Sequence, residues 1–287
     1  MKEYLKLIRI KSYVKNVLIF APAFFAGVYN LNSFFILGLG FVAFSLTASL
    51  VYIINDIVDV ENDRKHPVKK HRPLASGRIS ILSAKVLMFS ITILILVLSA
   101  VIKNTMFTIT LIVYLIVNVA YSFYLKNIPL VDLITLSVSY ILRLLAGAFL
   151  VNVMLSPWII LVTVGLSILL GAGKRLEDVI LMENNGVITR KVVKDYSVEF
   201  LKMIIMFSSF YVVFTYTIYS VLVYPDKLVY LTNIFVFIGF LRYFQIIFHK
   251  KVYYDPITIL LKDNILKFIV VLWLVSFYVL KDFRWSY

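Results

Sequence analysis

The sequence contains no cysteine among its 287 residues. This absence excludes a disulfide framework, a thiolate nucleophile and a zinc site built from cysteines. Polar sequence is also scarce outside a few short segments, which leaves no room for a separate soluble domain. We therefore expect a single domain over residues 1–287.

Apolar residues dominate what is present. They make up 62% of the chain, with a mean hydropathy of +0.94, whereas soluble domains contain roughly 45–50%. Such a composition suits helices that face lipid. The net charge of +14 would fit nucleic acid, but cationic loops at an anionic cytoplasmic leaflet are the commoner cause in membrane proteins. The predicted partner is the lipid bilayer, with no nucleic acid.

Apolar stretches of about 17–25 residues, long enough to cross the hydrocarbon of a bilayer, follow one another along the chain. Ala21-Pro22-Ala23 is a poor cleavage site, so the first stretch is expected to stay rather than act as a signal peptide. The predicted fold class is all-α, a polytopic membrane protein with about nine transmembrane helices. The spans are predicted near 14–30, 33–54, 81–101, 105–124, 129–151, 156–173, 198–223, 228–248 and 264–281.

Basic residues fall almost entirely on one side of these spans. This asymmetry predicts an integral plasma-membrane protein with a cytoplasmic N-terminus, an odd number of spans and an external C-terminus. Two cytoplasmic segments, about 55–80 and 174–197, hold the densest charge, and function is expected there. The basic residues on the opposite side are Lys103, Lys227, Lys281 and Arg284.

An acidic cluster lies at the end of the second span. Asp56, Asp59 and Asp63 follow Asn55 at a spacing that places three carboxylates on one helical face. Like charges on one face repel, and hard divalent cations such as Mg²⁺ prefer carboxylate oxygens. A solvated helix end is the alternative. We favour a metal site, because ionisable groups at a membrane helix terminus are usually functional.

A basic run over 64–78 follows directly. Its lysines and arginines, including Lys69 and Arg72, suit a polyanion held beside metal ions. Anchoring of positive charge on the cytoplasmic side explains some of them but not their interleaving with acids. His66 and His71 are interpreted as loop residues rather than metal ligands.

A second charged cluster closes the sixth span. Lys174, Arg175 and Asp178 are spaced so that all three can face one cavity, and Glu177 lies between them. An intrahelical salt bridge is an equally good interpretation of this spacing. Which of the two acids, Glu177 or Asp178, would bind metal is left open.

Other polar residues lie at the ends of spans or inside them. Arg143 is inside the fifth span, where a lone charge is expensive and should meet an anion, an acid or water. The others are Lys15 and Asn16 at the start of the first span, Tyr121 and Lys126 at the end of the fourth, and Asp132 at the start of the fifth.

The segment Asn55-Asp56-x-x-Asp59-x-x-x-Asp63 resembles the N-D-x-x-D-x-x-x-D signature of the UbiA superfamily of intramembrane prenyltransferases, and 121–126 is also typical of it. The resemblance implies nine helices in two pseudo-repeated bundles, about 1–127 and 128–287, with an active-site cap on the cytoplasmic side. It also implies Mg²⁺ bound by acidic motifs at the ends of the second and sixth helices.

One branch, the polyprenyl-phosphate phosphoribosyltransferases, is the most similar. The segments that carry this likeness are Lys15 to Pro22, His66-Pro67-Val68-Lys69 with Arg72-Pro73, and Gly173-Lys174-Arg175 with Asp178. The likeness implies transfer of 5-phosphoribosyl from phosphoribosyl diphosphate to a polyprenyl phosphate, for cell-wall arabinan. Lys174 replaces the first aspartate of the general D-x-x-x-D motif, which favours a substrate with more phosphate charge.

The resemblance also implies roles for individual residues. Metal ligands would be Asp56, Asp59, Asp63 and Asp178, and the catalytic residues Asp56, Asp59, Lys174 and Asp178. Substrate-binding residues would be Lys15, Asn16, Asn55, Lys69, Arg72, Tyr121, Lys126, Arg143 and Arg175.

Two other functions are alternatives to this one. The first is a prenyltransferase that moves a prenyl group from its diphosphate to an aromatic ring or a lipid alcohol, which the replaced second motif disfavours. The second is a transporter or channel, which would need polar residues through several spans towards the far side; the charges gather on one face instead. The oligomeric state is left open, and a homo-oligomer is compatible with the sequence.

Overall fold

A computed structural model describes residues 2–65, 69–186, 191–249 and 256–283. Helices and short connections account for these ranges, which contain no β-strand, so the all-α prediction is confirmed. The α-helices are α1 (Lys2–Leu7), α2 (Ala21–Ala26), α3 (Leu31–Val58), α4 (Val60–Lys65), α5 (Ile81–Ile102), α6 (Thr105–Phe123), α7 (Val131–Leu150), α8 (Pro157–Asn185), α9 (Val198–Leu222), α10 (Asn233–Phe244), α11 (Pro256–Lys262) and α12 (Asn264–Leu280). The 3-10 helices are Ile10–Phe20, Lys69–His71, Leu125–Asn127, Lys191–Asp195 and Leu228–Thr232, and Gln245–His249 is a π-helix.

Seven helical stretches within the described ranges are long and apolar enough to cross a membrane. Six are α3 and α5 to α9, and the seventh is the continuous helical stretch Leu228–His249. The apolar α12 has 17 residues and falls just short of that length. These stretches agree with the predicted polytopic membrane protein, while the number of nine spans stays a prediction.

The first predicted span, 14–30, is not a continuous α-helix. It consists of the 3-10 helix Ile10–Phe20 and then α2, which ends at a left-handed Gly27. At about 2.0 Å of rise per residue, eleven 3-10 residues extend about 22 Å. The segment packs very closely on α7, because a Cβ atom added at Gly147 would lie 1.9 Å from the carbonyl oxygen of Ile19. Such tight packing is invisible in an apolar sequence pattern.

The sixth predicted span, 156–173, is also longer than expected. The helix α8 continues to Asn185 and ends at Gly186, whose φ of 65° is left-handed. Residues 174–185, predicted as the start of a charged loop, are therefore helical. Leu176 and Val179 are buried in the same apolar cluster, and their packing extends the helix into its polar part.

The chain divides into two compact units, each with its own core. One unit comprises residues up to Leu125 together with Ser139–Leu155, and the other comprises Lys126–Val138 together with residues from Ser156 onward. Phe44 and Phe107 are fully buried in the first core, and Leu201 and Ile205 in the second. The pseudo-repeats predicted over about 1–127 and 128–287 stay a prediction.

Candidate functional site

Two of the three predicted acids converge at the end of α3. Asp56 and Asp63 are each 3% exposed, and both accept hydrogen bonds from Nη1 of Arg72, at 3.2 and 2.7 Å. The helix breaks at Asp59, yet its amide donates to the carbonyl of Asn55 at 2.9 Å and its carbonyl accepts from the amide of Asp63 at 2.8 Å. These bonds preserve helical spacing across the break, so Asp56 and Asp63 face the same way.

A second arginine, Arg9, also binds Asp56. Its Nη2 donates to Oδ1 of Asp56 at 2.7 Å, and its guanidinium lies 4.5 Å from the ring centroid of Tyr52. Arg9 has a left-handed φ of 52° between α1 and the 3-10 helix that follows. This role is not predictable from the sequence, because 47 residues separate Arg9 from Asp56 and no local spacing signals the contact.

The sequence predicts three further site residues in this region. Asn55, Asp59 and Lys69 are all half-buried. Glu61 is exposed and pairs with Arg64 at 2.7 Å, so it does not join Asp56 and Asp63. His66, Pro67 and Val68, which belong to the motif that ends at Lys69, lie outside the described residues. Arg284 does too.

The carboxylates at the end of α3 fit a divalent cation. No three acidic or imidazole side chains gather into a metal-binding group in the part of the chain that the structure describes. Mg²⁺, however, is usually held by one or two carboxylates together with substrate phosphates. Asp56 and Asp63 already converge on one positively charged nitrogen of Arg72. The donor set is therefore hard, anionic and arranged around a cation.

The second predicted cluster lies on the polar part of α8. Arg175 is only 1% exposed, donates from Nε to Asp132 at 2.6 Å and from Nη1 to Asp178 at 3.0 Å. The intrahelical salt bridge between Arg175 and Asp178 is thus present. Lys174 is exposed and Glu177 half-buried. The guanidinium of Arg175 binds both carboxylates, and its contact with substrate stays a prediction.

Asp132 is the centre of this buried network. Besides Arg175, it accepts a hydrogen bond from the Tyr196 hydroxyl at 2.7 Å, and that hydroxyl accepts from the amide of Leu130 at 2.7 Å. Burial raises the pKa of the Tyr196 phenol, so it stays protonated and remains a donor. The sequence predicts only the position of Asp132 at the start of a span. Its partners could not be predicted, because they lie 43 and 64 residues away.

Arg143 meets neutral groups rather than the expected acid or anion. Its Nε donates to Oδ1 of Asn16 at 2.7 Å, Nη1 to the Ser139 carbonyl at 2.5 Å, and Nη2 to the Tyr114 hydroxyl at 3.1 Å. Asn16 in turn donates to Ser45 at 2.9 Å. In this arrangement Asn16 and Arg143 bind each other inside the first unit and connect the 3-10 helix to α3 and α7. Their contact with substrate stays a prediction.

The remaining predicted residues lie at helix ends. Lys15 is in the 3-10 helix Ile10–Phe20, Tyr121 in the last turn of α6, and Lys126 in the 3-10 turn Leu125–Asn127. All three side chains are half-buried. Their roles in substrate binding stay predictions.

Comparison with known proteins identifies a matching family and several relatives of similar sequence. The model of the UbiA prenyltransferase family matches residues 16–261. The decaprenyl-phosphate phosphoribosyltransferase of Corynebacterium glutamicum is 31% identical over 220 residues, which are 75% of this chain and 66% of that protein. The protein of the same name from Mycobacterium tuberculosis is 33% identical over 223 residues, 75% of this chain and 72% of that one. The chain thus spans only part of these relatives.

Solved structures give the same fold at lower identity. A UbiA homologue from Archaeoglobus fulgidus bound to GPP and Mg²⁺ is 19% identical, with a TM-score of 0.72 over 98% of this chain and 100% of that chain. A UbiA homologue from Aeropyrum pernix is 15% identical, with a TM-score of 0.65 over 93% and 97%. At such identities the likeness establishes the fold alone.

Proposed function

Because the chain belongs to the UbiA prenyltransferase family, we propose that this membrane transferase moves a 5-phosphoribosyl group from phosphoribosyl diphosphate to a polyprenyl phosphate. The observation that carries the proposal is the convergence of Asp56 and Asp63 on Arg72, with Arg9 beside them. Buried carboxylates surrounded by arginines suit a diphosphate bound with its cation. The names of the relatives support the choice of ribosyl donor and lipid acceptor.

The proposed reaction forms one bond and breaks one. A phosphate oxygen of the lipid attacks C1 of the ribose, and the bond from C1 to the diphosphate oxygen breaks. The departing diphosphate keeps the electron pair of that bond. No general base is required, because the attacking phosphate is already an anion.

The residues at the end of α3 would bind and orient the diphosphate. Asp56 and Asp63 would hold Mg²⁺, with Asp59 as a further ligand. When bound, Mg²⁺ supplies positive charge to the diphosphate as it leaves. Arg9 and Arg72 bind carboxylates with planar guanidinium groups that match phosphate equally well. A phosphate that takes over these donors would leave the carboxylates available to the cation.

The remaining roles rest on the sequence resemblance. Asp178 would add a metal ligand, and Lys69 and Lys174 would contact phosphate groups. Tyr121, Lys126 and Arg143 would position the lipid phosphate, and Arg175 would also contact a phosphate group. Lys15, Asn16 and Asn55 would contact substrate. We also propose nine spans, a cytoplasmic N-terminus and an active site with its cap on the cytoplasmic side, as the distribution of basic residues favours.

Two reaction mixtures test the proposed function. The purified protein in detergent with Mg²⁺ receives labelled phosphoribosyl diphosphate and a polyprenyl phosphate, or a prenyl diphosphate and an aromatic acid. We expect a labelled lipid-linked pentose phosphate in the first mixture only. Prenylated product in the second mixture with none in the first would reject the proposal in favour of an ordinary prenyltransferase.

Two matched variants test whether transfer depends on the buried carboxylates. Asp63→Asn removes a carboxylate from the pair, whereas Glu61→Gln removes an exposed carboxylate from the same short helix. We expect a large loss of transfer for the first variant and wild-type transfer for the second. Equal activity of both variants would remove Asp63 from the site.

A further inference from the structure

A ladder of polar contacts joins the 3-10 helix Ile10–Phe20, and the residue before it, to one face of α3. The first two contacts are 2.9 Å long and the third is 2.7 Å long. From the middle of α3 to its acidic end, the pairs are Asn16 with Ser45, Tyr13 with Ser49, and Arg9 with Asp56. The N-terminal segment therefore runs antiparallel to α3 and places Arg9 beside the acid.

The 3-10 form lets these contacts repeat along α3. Residues three apart eclipse each other in a 3-10 helix, so Tyr13 and Asn16 lie on one side of it. Three residues of a 3-10 helix rise about 6 Å, and four residues of an α-helix rise the same distance. Side chains spaced by three on the segment can thus meet Ser45 and Ser49, which are spaced by four on α3.

Ser49 connects this ladder to the backbone next to Arg9. Ser49 is fully buried, and its hydroxyl lies 2.9 Å from the carbonyls of both Ile8 and Ser45. The Ser45 carbonyl already accepts the amide of Ser49 within α3. Ile8 lies between α1 and the 3-10 helix, where its carbonyl needs a partner of another kind. The Ser49 hydroxyl therefore donates to Ile8, and the Tyr13 hydroxyl donates to Ser49.

This contact fixes the peptide group that joins Ile8 to Arg9. A peptide group is planar, so holding the Ile8 carbonyl also sets the direction of the Arg9 N–H and with it the φ angle of Arg9. That angle is 52°, a left-handed value that is unfavourable for residues other than glycine and persists where surrounding contacts fix it. The Arg9 side chain remains 32% exposed. Its backbone is thus held, while its charged end can move.

We propose that Tyr13 and Ser49 are positioning residues that hold the backbone of Arg9, so that its guanidinium is already directed at a diphosphate bound beside Asp56. The inference rests on the proposed function, in which Arg9 passes from the carboxylate to a phosphate group. A side chain that is fixed at its base loses less conformational freedom when it binds a ligand, and this strengthens binding. Neither hydroxyl needs to touch the substrate for this effect.

A double-mutant cycle between Ser49→Ala and Arg9→Gln tests the positioning role. Titration calorimetry in the presence of Mg²⁺ measures the affinity of the purified full chain for inorganic diphosphate. We expect Arg9→Gln to weaken binding about tenfold, the scale of one charge-assisted hydrogen bond. Ser49→Ala should weaken it about threefold, because Arg9 must then be ordered on binding. In the double variant, Ser49→Ala should add nothing to the effect of Arg9→Gln.

Ser209→Ala is the matched control. Ser209 is 2% exposed, and its hydroxyl donates to the Ile205 carbonyl within its own helix, α9. Its loss should leave the affinity for diphosphate at the wild-type value. Wild-type affinity in Ser49→Ala would overturn the positioning role. An equal weakening by Ser49→Ala with and without Arg9 would overturn it too, because a general structural defect acts in both backgrounds.

Tyr13→Phe keeps the test decisive if Ser49→Ala fails to fold. It removes only the half-buried hydroxyl that donates to Ser49. We expect weaker binding of diphosphate, with no further weakening in the Arg9→Gln background, and wild-type affinity would overturn the proposal. A wild type that binds no diphosphate would refute the proposed function and this inference together. Failure of the positioning role alone leaves diphosphate bound by the wild type, so the two failures are distinguishable.

Discussion

Two buried groups of charged residues, one in each unit, use the same residue types in different ways. At the end of α3, Asp56 and Asp63 are almost fully buried, but their partners Arg9 and Arg72 keep 32% and 29% of their side chains exposed. In the second unit, both Asp132 and its partner Arg175 are buried, at 0% and 1%. The first group has two arginines that reach solvent, whereas in the second group only the outer carboxylate, Asp178, does so, at 13% exposure.

This difference separates exchangeable charge from fixed charge. An arginine that reaches solvent can leave its carboxylate without stranding a charge in an apolar core, whereas removal of a fully buried partner leaves an uncompensated ion. In the proposed function, Asp56 and Asp63 would therefore exchange guanidinium for a metal ion during binding. Asp132 and Arg175 are better suited to hold the end of α8 in place.

The largest effect on stability is expected for Asp132→Ala. This variant leaves Arg175 buried without one of its two carboxylates and removes the acceptor of the Tyr196 hydroxyl. Breaking a buried ion pair in this way costs about 3–5 kcal/mol. Thermal unfolding in detergent measures the change, with Asp63→Ala as the matched substitution in the other group. Equal melting temperatures for the two variants would show that the two groups do not differ in their contribution to stability.

The largest effect on activity without comparable loss of stability is expected for Asp56→Asn. The change keeps the size of the side chain and leaves Arg9 and Arg72 with access to solvent. Loss of the proposed metal ligand should reduce transfer by about 100-fold or more, the scale of removing one electrostatic contact from a transition state. Initial rates and melting temperature are measured on the same preparation. A variant that melts far below the wild type would place Asp56 with the structural group.

A smaller effect on stability is expected for Tyr196→Phe. Loss of the hydroxyl leaves one oxygen of Asp132 and the amide of Leu130 without this partner, at a cost of about 1–3 kcal/mol.

The same residue gives a pH dependence. Burial raises the pKa of Tyr196 above its unfolded value of about 10. The folded protein then holds the phenolic proton more tightly than the unfolded chain, so this contribution is complete below about pH 10 and is lost as pH rises further. Unfolding curves from pH 8 to 11 should show a steeper alkaline decline for the wild type than for Tyr196→Phe. Parallel declines would contradict the assignment.

The smallest effect is expected for Glu61→Gln. Glu61 and Arg64 are neighbours on one turn, with 72% and 48% of their side chains exposed. Exposed pairs of this kind contribute little to stability, so melting temperature and transfer should both match the wild type. A loss of transfer would extend the site beyond Asp56 and Asp63.

Local patterns predicted the parts of the fold and site that depend on neighbours in sequence. The spacing of Asp56 and Asp63 placed them on one face, and their shared contact with Arg72 confirms it. The long apolar runs gave seven helical stretches that fit a membrane. Composition and periodicity suffice for such features, because they reflect burial and helical geometry within one segment.

Features that depend on distant residues could not be predicted from the sequence. Arg9 meets Asp56 across 47 positions, and Arg175 meets Asp132 across 43. An apolar pattern encodes neither the 3-10 form of Ile10–Phe20 nor the close approach of Ile19 to Gly147. The extension of α8 likewise follows from burial of Leu176 and Val179 beneath its charged surface.

Binding of Mn²⁺, as a stand-in for Mg²⁺, tests the exchange of charge at the end of α3 most directly. Electron paramagnetic resonance counts the free ion in the presence of inorganic diphosphate, for the wild type, Asp63→Asn and Glu61→Gln. We expect tight binding by the wild type and Glu61→Gln, and binding at least about tenfold weaker by Asp63→Asn, the weakening that loss of about 1.4 kcal/mol produces. Wild-type affinity in Asp63→Asn would contradict it.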